Sequence, residues 1–179
     1  MCSSDLTELI SAYWRFANQY YVKNGRCTDE LASIKVALRY LKESYGTTPA
    51  AKFGPLALKS IRQRMIDAGD SRGYVNGLVG RIRRAFKWGV ENELVPVTVH
   101  QSLATVAGIA KGKTDARESD PVLPVDEATV NATLEHSRQT AADMVRIQRL
   151  AVMRPDEVCR IRPGVIDRRS DVYIARAHV

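Results

Sequence analysis

The chain has few of the residues that build covalent frameworks or metal sites. Its three cysteines, Cys2, Cys27 and Cys159, are odd in number, far apart and never in a CxxC pair. That excludes a disulfide scaffold and offers no zinc-site spacing, so all three are expected as free thiols. The three histidines, His100, His136 and His178, are equally scattered. No metal site is expected. Long apolar runs are missing too: nothing approaches the ~20 residues needed to cross a bilayer. The opening MCSSDLTELISAYWRF lacks the basic start, apolar core and small-residue cleavage site of a secretory signal. The expectation is a cytoplasmic protein with no membrane partner.

Positive charge, by contrast, is plentiful. Lysine and arginine number 27 against 20 aspartates and glutamates, a formal net charge of +7 over 179 residues. Such an excess favours an anionic partner, nucleic acid ahead of membrane, if the cations gather on one face. The 45% hydrophobic and 26% charged content suits a soluble globular protein. The length admits one compact domain, or a small domain and part of another.

Apolar periodicity places the helices. Leu6, Leu9, Ile10, Tyr13, Phe16, Ala17 and Tyr20 recur on one face of a first helix that ends near Asn24-Gly25. Thr28, with Asp29 and Glu30 behind it, opens a second helix carrying Leu31, Ile34, Ala37, Leu38 and Leu41 and stopping at Tyr45-Gly46. A third follows Gly54-Pro55 with Leu56, Leu58, Ile61, Met65 and Ile66 and ends at Gly69.

The fourth helix begins at Asp70 or Ser71 and runs to about Leu94, with Val75, Leu78, Val79, Ile82, Phe86 and Val90 as its apolar stripe. Arg81, Arg83, Arg84 and Lys87 fall outside that stripe, together with Gly73, Gly77 and Gly80. Glycine in a helix costs about 1 kcal/mol relative to alanine, so three of them on the charged side ask for a reason. Close approach of a nucleic-acid backbone is one; a solvated basic face with tolerated glycines is the other. Trp88 also lies off the stripe and is expected to pack under Pro96–Ala107, a short fifth helix, with base stacking as the alternative.

Gly108–Pro124, GIAKGKTDARESDPVLP, has no periodicity and reads as a linker. Its Lys111, Lys113 and Arg117 could hold a phosphate backbone, although a flexible charged connector with no ligand is the commoner meaning of such a stretch. A helix then starts at Pro124–Asp126 with Val130 and Leu134, another runs from about Thr140 to Met153, and Asp171–Ile174 reads as a strand.

The segment Arg149–Arg162, RLAVMRPDEVCRIR, sets Arg154 between an apolar helical run containing Ile147 and Leu150 and a helix start marked by Pro155, Asp156 and Glu157. An arginine held at a joint between packed helices presents a planar, always-charged fork, suited to a phosphate. The same pattern also describes a solvated, salt-bridged arginine.

These features together resemble the phage-type integrases of the tyrosine recombinase family. The resemblance rests on VMRPDEV, similar to the family's T-G-x-R-x-x-E-L/V, with Arg154, Glu157 and Val158 matching. It also rests on VNGLVGRIRRAFKWGVENELV, similar to the last long helix of core-binding domains. It covers nearly the whole chain and implies a mainly α protein. A helical core-binding (SAM-like) bundle of four to five helices over 1–107 and a linker over 108–124 would precede the mostly helical start of a mixed α/β catalytic domain over 125–179.

The implied partner is double-stranded DNA, contacted by Arg81, Arg83, Arg84, Lys87, Lys111 and Lys113, with a homo-oligomer on DNA left open. The implied chemistry is attack of a tyrosine hydroxyl on a phosphodiester, without metal or other cofactor, Arg154 being the catalytic arginine. Two departures stand out. Ala151 and Val152 replace the motif's threonine and glycine, and a β-branched Val152 is costly if that position needs positive φ. The family's lysine, H-x-x-R pair and nucleophilic tyrosine would lie past the point where this sequence stops; Tyr13, Tyr20, Tyr21, Tyr40, Tyr45, Tyr74 and Tyr173 all precede it. The expectation is a truncated recombinase that binds DNA and is inactive alone, with a non-catalytic helical DNA-binding regulator or protein-interaction module as the alternative.

Overall fold

The computed structural model describes residues 5–162, Ile166–Asp167 and Ile174–Ala175. It divides into two compact units, Met1–Asp120 and Pro121–Val179. The first is helical. Helix α1 spans Leu6–Tyr20, α2 Asp29–Tyr45, α3 Pro55–Asp67, α4 Arg72–Glu91 and α5 Val97–Ala104, with a 3-10 turn at Ala50–Lys52. Asp5 caps α1 by accepting from the Glu8 N–H at 2.9 Å. The same end is fastened to the turn after α2, where the Leu6 and Thr7 N–H groups donate to the Thr48 and Gly46 carbonyls, each at 3.0 Å.

Helix α4 is the axis of this unit. Its stripe of Val75, Leu78, Val79, Ile82, Ala85 and Phe86 is buried and packs against α1, α2, α3 and α5. Phe86 stacks on Phe53 with ring centroids 4.9 Å apart, and Phe53 meets Tyr45 edge-on at 5.6 Å. A fourth glycine on α4, Gly89, is buried among apolar groups: a Cβ there would sit 2.7 Å from Leu9 Cδ1 and 3.0 Å from Val95 Cγ2. Glycine is therefore required where α1 and the chain after α4 come closest.

Several elements differ from the sequence expectation. Asn24-Gly25 does more than end a helix. Both residues take positive φ and close a two-residue hairpin that pairs β1, Val22–Lys23, with β2, Arg26–Cys27. Helix α4 stops at Glu91, short of Leu94, because Glu93 turns left-handed and the Leu94 N–H reaches back to the Gly89 carbonyl at 2.8 Å. Trp88 packs on α1, a partner the sequence did not suggest, with its ring 5.6 Å from Tyr13 and 5.3 Å from Phe16. Leu56 and Val97, placed by spacing among the apolar positions, are exposed.

The second unit contains α6, Glu127–Glu135, α7, Gln139–Ala151, and α8, Pro155–Cys159. It also holds an antiparallel pair of β3, Ile166–Asp167, with β4, Ile174–Ala175. Asp126 caps α6 through the Thr129 N–H, and Arg149 of α7 reaches Glu127 at 2.7 Å. The strand expected over Asp171–Ile174 is seen at Ile174–Ala175; Asp171 to Tyr173, like Cys2 and His178, lie outside the described residues. No helix among the described residues is long and apolar enough to cross a membrane.

Candidate nucleic-acid interface

The polar side of α4 is only partly free to meet a ligand. Arg81 Nη2 lies 2.5 Å from Glu30 Oε2 and Arg84 Nη1 2.7 Å from Glu30 Oε1, so one carboxylate of α2 engages two of the four cations. Arg84 also donates to the Tyr21 hydroxyl at 3.2 Å. Gly77 makes room for this cluster, since a Cβ there would stand 2.9 Å from Arg81 Nη1. A side chain at that position would have to displace the end of Arg81. Gly73 and Gly80 have open space where a side chain would be, consistent with the close approach the sequence suggests for them.

Burial raises the pKa of the Glu30 carboxyl, but the hydrogen bonds and charges of Arg81 and Arg84 outweigh it, leaving the group below its ordinary value of 4.5. A carboxyl depressed by folding stabilises the protein above its unfolded value and loses that contribution as pH falls through the folded one. Stability is therefore expected to drop below about pH 4.5 in part through Glu30. Denaturant midpoints of Glu30→Gln should lie below the unsubstituted protein's at neutral pH and approach them in acid. A constant gap between the two pH profiles would contradict this.

Arg83 and Lys87 are less constrained. Arg83 donates to the Val106 carbonyl at the 3.5 Å limit of a hydrogen bond, and Lys87 is an exposed partner of Glu91 at 3.7 Å. Surface pairs of this kind contribute ~1 kcal/mol or less and yield readily to a phosphate.

The basic stretch read as a linker is docked over much of its length. The Asn76 side chain grips the backbone of Ile109 twice, donating to its carbonyl at 3.1 Å and accepting from its N–H at 2.8 Å. Further on, the Arg72 N–H donates to the Arg117 carbonyl at 2.9 Å, and Arg72 Nε lies 2.6 Å from Glu118 Oε1. Ile109 and Ala116 are buried in the first core. Residues 108–118 thus form a strap across α4 that presents Lys111 and Lys113 to solvent from a fixed backbone. Beyond it, residues 119–126 are exposed throughout.

Arg154 stands at the joint of α7 and α8, as the N-cap of α8, with Pro155 in the first turn. Its N–H donates to Glu157 Oε2 at 2.8 Å, and its guanidinium lies 3.3 Å from Glu157 Oε1. The side chain is 84% exposed and paired with Glu157, which is the solvated, salt-bridged arrangement of the two that the local sequence allows, and packed helices do not clamp the fork. Two residues earlier, the chain does take the conformation that is costly for a β-branched side chain: Val152 has φ 52° and ψ 33°, left-handed, at the C-cap of α7. The cost is about 1–2 kcal/mol. Val152→Gly is expected to recover roughly that amount, measured as slower hydrogen exchange of the α7 amides; unchanged exchange would show that the loop carries no such strain.

Among the tyrosines, Tyr13 is buried in the core while Tyr20 and Tyr74 are exposed. Cys27 and Cys159 are free and exposed. Among the described residues no three His, Cys, Asp or Glu side chains gather as a metal site.

No protein-family model matches the sequence, and no curated protein matches it. Solved structures do. The Tn1549 transposon integrase in complex with circular intermediate DNA superposes with a TM-score of 0.64 at 17% identity, over 97% of this chain and 54% of that one. A lambda integrase dimer bound to a COC' core site gives 0.61 at 15% identity, over 96% and 48%. The chain has the tyrosine-recombinase integrase fold. It spans about half the length of the integrase chains it matches. The helical first unit, α4 and the strap are parts of that integrase fold.

Proposed function

We infer that the chain is a DNA-binding protein of the site-specific integrase type, with a core-binding domain over 1–107, a connecting segment over 108–124 and the start of a catalytic domain over 125–179. The observation that carries this reading is the integrase fold over nearly the entire chain, shared with proteins solved on DNA. The excess of positive charge supports it. Within it, Arg83, Lys87, Lys111 and Lys113 contact phosphates, while Arg81 and Arg84 hold α2 to α4 through Glu30. Arg154 is the arginine that would neutralise charge on the non-bridging oxygens of a phosphodiester under attack. In that chemistry a tyrosine hydroxyl forms a phosphotyrosyl bond and a deoxyribose hydroxyl leaves.

By themselves the residues Met1–Val179 bind duplex DNA without forming that bond. The test combines duplex binding at several salt concentrations with a nicked suicide substrate that traps covalent intermediates. Binding that weakens steeply with salt, with no trapped species, is expected. A trapped species would refute the inactivity of this polypeptide. Weak, salt-independent binding would replace the DNA reading with that of a protein-interaction module.

A further inference from the structure

A cleft of about 430 Å³ lies between α3, the end of α5 and the strap, and it is lined by Lys59, Arg62 and Lys113 together with Thr105, Thr114 and the backbone from 107 to 110. No carboxylate lines it. Docking of the strap alone brings these cations together, since Lys113 is about fifty residues from the other two in the sequence. Asn76 and buried Ile109 fix the backbone on one side of the cleft, and on the other Arg62 Nη1 donates to the Ala107 carbonyl at 3.1 Å. One N–H of Arg62 is thereby engaged and its remaining donors are available.

Like charges at a spacing of three on a helix, such as Lys59 and Arg62, repel by a few tenths of a kcal/mol. Among the described residues none of the three cations has an acidic partner within 4.0 Å. Of the nearby acids, Glu118 is engaged with Arg72, Asp67 with Gln63 and Asp70 with Tyr40, and Asp115, which follows Thr114 in the strap, is not among the lining residues. A cleft that collects positive charge, is lined by no carboxylate and includes Thr114, whose hydroxyl accepts from the Ala116 N–H and keeps its own proton to donate, has the chemistry of a phosphate site.

We propose that this cleft seats one backbone phosphate of duplex DNA, held by Lys59, Arg62 and Lys113. The proposal rests on the DNA-binding reading above and adds Lys59 and Arg62, which lie on α3, away from the basic face of α4. The volume of the cleft admits a phosphodiester with flanking sugar or water. Because Lys113 belongs to the strap, phosphate bound here bridges α3 to the strap and opposes its release.

The test uses the full chain and a duplex of fixed sequence, with affinity measured across a range of potassium chloride. Because Lys59 and Lys113 serve one phosphate, Lys59→Gln alone should flatten the slope of log K against log salt, and the double variant Lys59→Gln/Lys113→Gln should flatten it by about 0.9 in all. A slope that Lys59→Gln leaves unaltered would overturn the cleft. Lys59→Arg/Lys113→Arg should keep the slope. Both pairs are exposed substitutions expected to leave thermal stability within ~0.5 kcal/mol. Strong DNA binding by the unsubstituted chain with an unaltered slope in the Gln pair would overturn the cleft alone; no DNA binding by the unsubstituted chain would overturn both the cleft and the DNA reading. Inorganic phosphate alone, followed by phosphorus NMR, is the second arm. Saturable phosphate binding that the Gln pair abolishes, with no change in the DNA slope, would assign the cleft to a free phosphate and also overturn the proposal.

Discussion

Alanine at Arg83, Lys87, Lys111 and Lys113 together is expected to flatten the salt dependence of DNA binding by as much as ~3.6 in slope, about 0.9 for each phosphate left without its cation. A change of that size requires all four side chains to be free to leave their present partners. Lys87 and Glu91 are both largely exposed at 3.7 Å, a pair that solvent already screens, and Arg83 makes a single hydrogen bond at the distance limit. Lys111 and Lys113 project from a strap whose backbone is fixed at Ile109 and Arg117. Little ordering remains to oppose binding there.

The contrasting pair is Arg81→Ala/Arg84→Ala, which removes the guanidinium groups paired with Glu30. It should leave the slope nearly unchanged and lower stability by about 1–3 kcal/mol, because a carboxylate only 27% exposed loses its partners. Titrations of both variants separate the two roles. Equal flattening in both would mean that the Glu30 cluster opens to meet DNA.

Replacing Phe86 by alanine is expected to cost about 3–5 kcal/mol, a large share of the roughly 5–15 kcal/mol that typically holds a domain together. Phe86 has no exposed surface and stacks within 14° of parallel on Phe53. Phe53 in turn braces Tyr45 at the end of α2. Truncation therefore leaves a void shared by α4, the segment before α3 and α2, and helices fastened at both ends collapse poorly into such a space. Trp14 and Trp88, the two tryptophans of the chain, both belong to the first unit, so their fluorescence in urea follows its unfolding alone. A loss below about 1 kcal/mol would mean that the void is refilled.

The helices of the first unit were legible because each buries one continuous stripe, and a repeat of about 3.6 residues survives in sequence as spacing. Val152 was legible for another reason, since a β-branched residue in a left-handed position is conspicuous wherever a motif marks that position. The clasp of Arg81 and Arg84 was not, because Glu30 lies 51 and 54 residues away and nothing in local spacing records such a partner. Reading a basic helix face as free overlooks that an acid on the next helix can engage it.

The strap was hidden by composition. Glycine, lysine and aspartate read as a solvated connector, while the residue that docks it, Asn76, sits on a helix and looks like an ordinary polar position. The contact of Trp88 with α1 was hidden because an off-stripe residue was assigned to the neighbour next in sequence, and spacing does not record that Tyr13 and Phe16 are its neighbours in space.

The two-point hold of Asn76 on Ile109 is selective for polarity as well as shape. It requires a donor facing the carbonyl and an acceptor facing the N–H, at 3.1 and 2.8 Å. Aspartate has nearly the same outline but offers two acceptors, so one oxygen would face the Ile109 carbonyl in repulsion; leucine would leave the Ile109 N–H unmatched and its carbonyl with only the longer bond from Arg72 Nη1, at 3.3 Å. Exchange of a single amide nitrogen for oxygen at residue 76 therefore turns one of the strap's holds, more than thirty residues downstream, into a repulsion and leaves its attachment to Arg72, at Arg117 and Glu118.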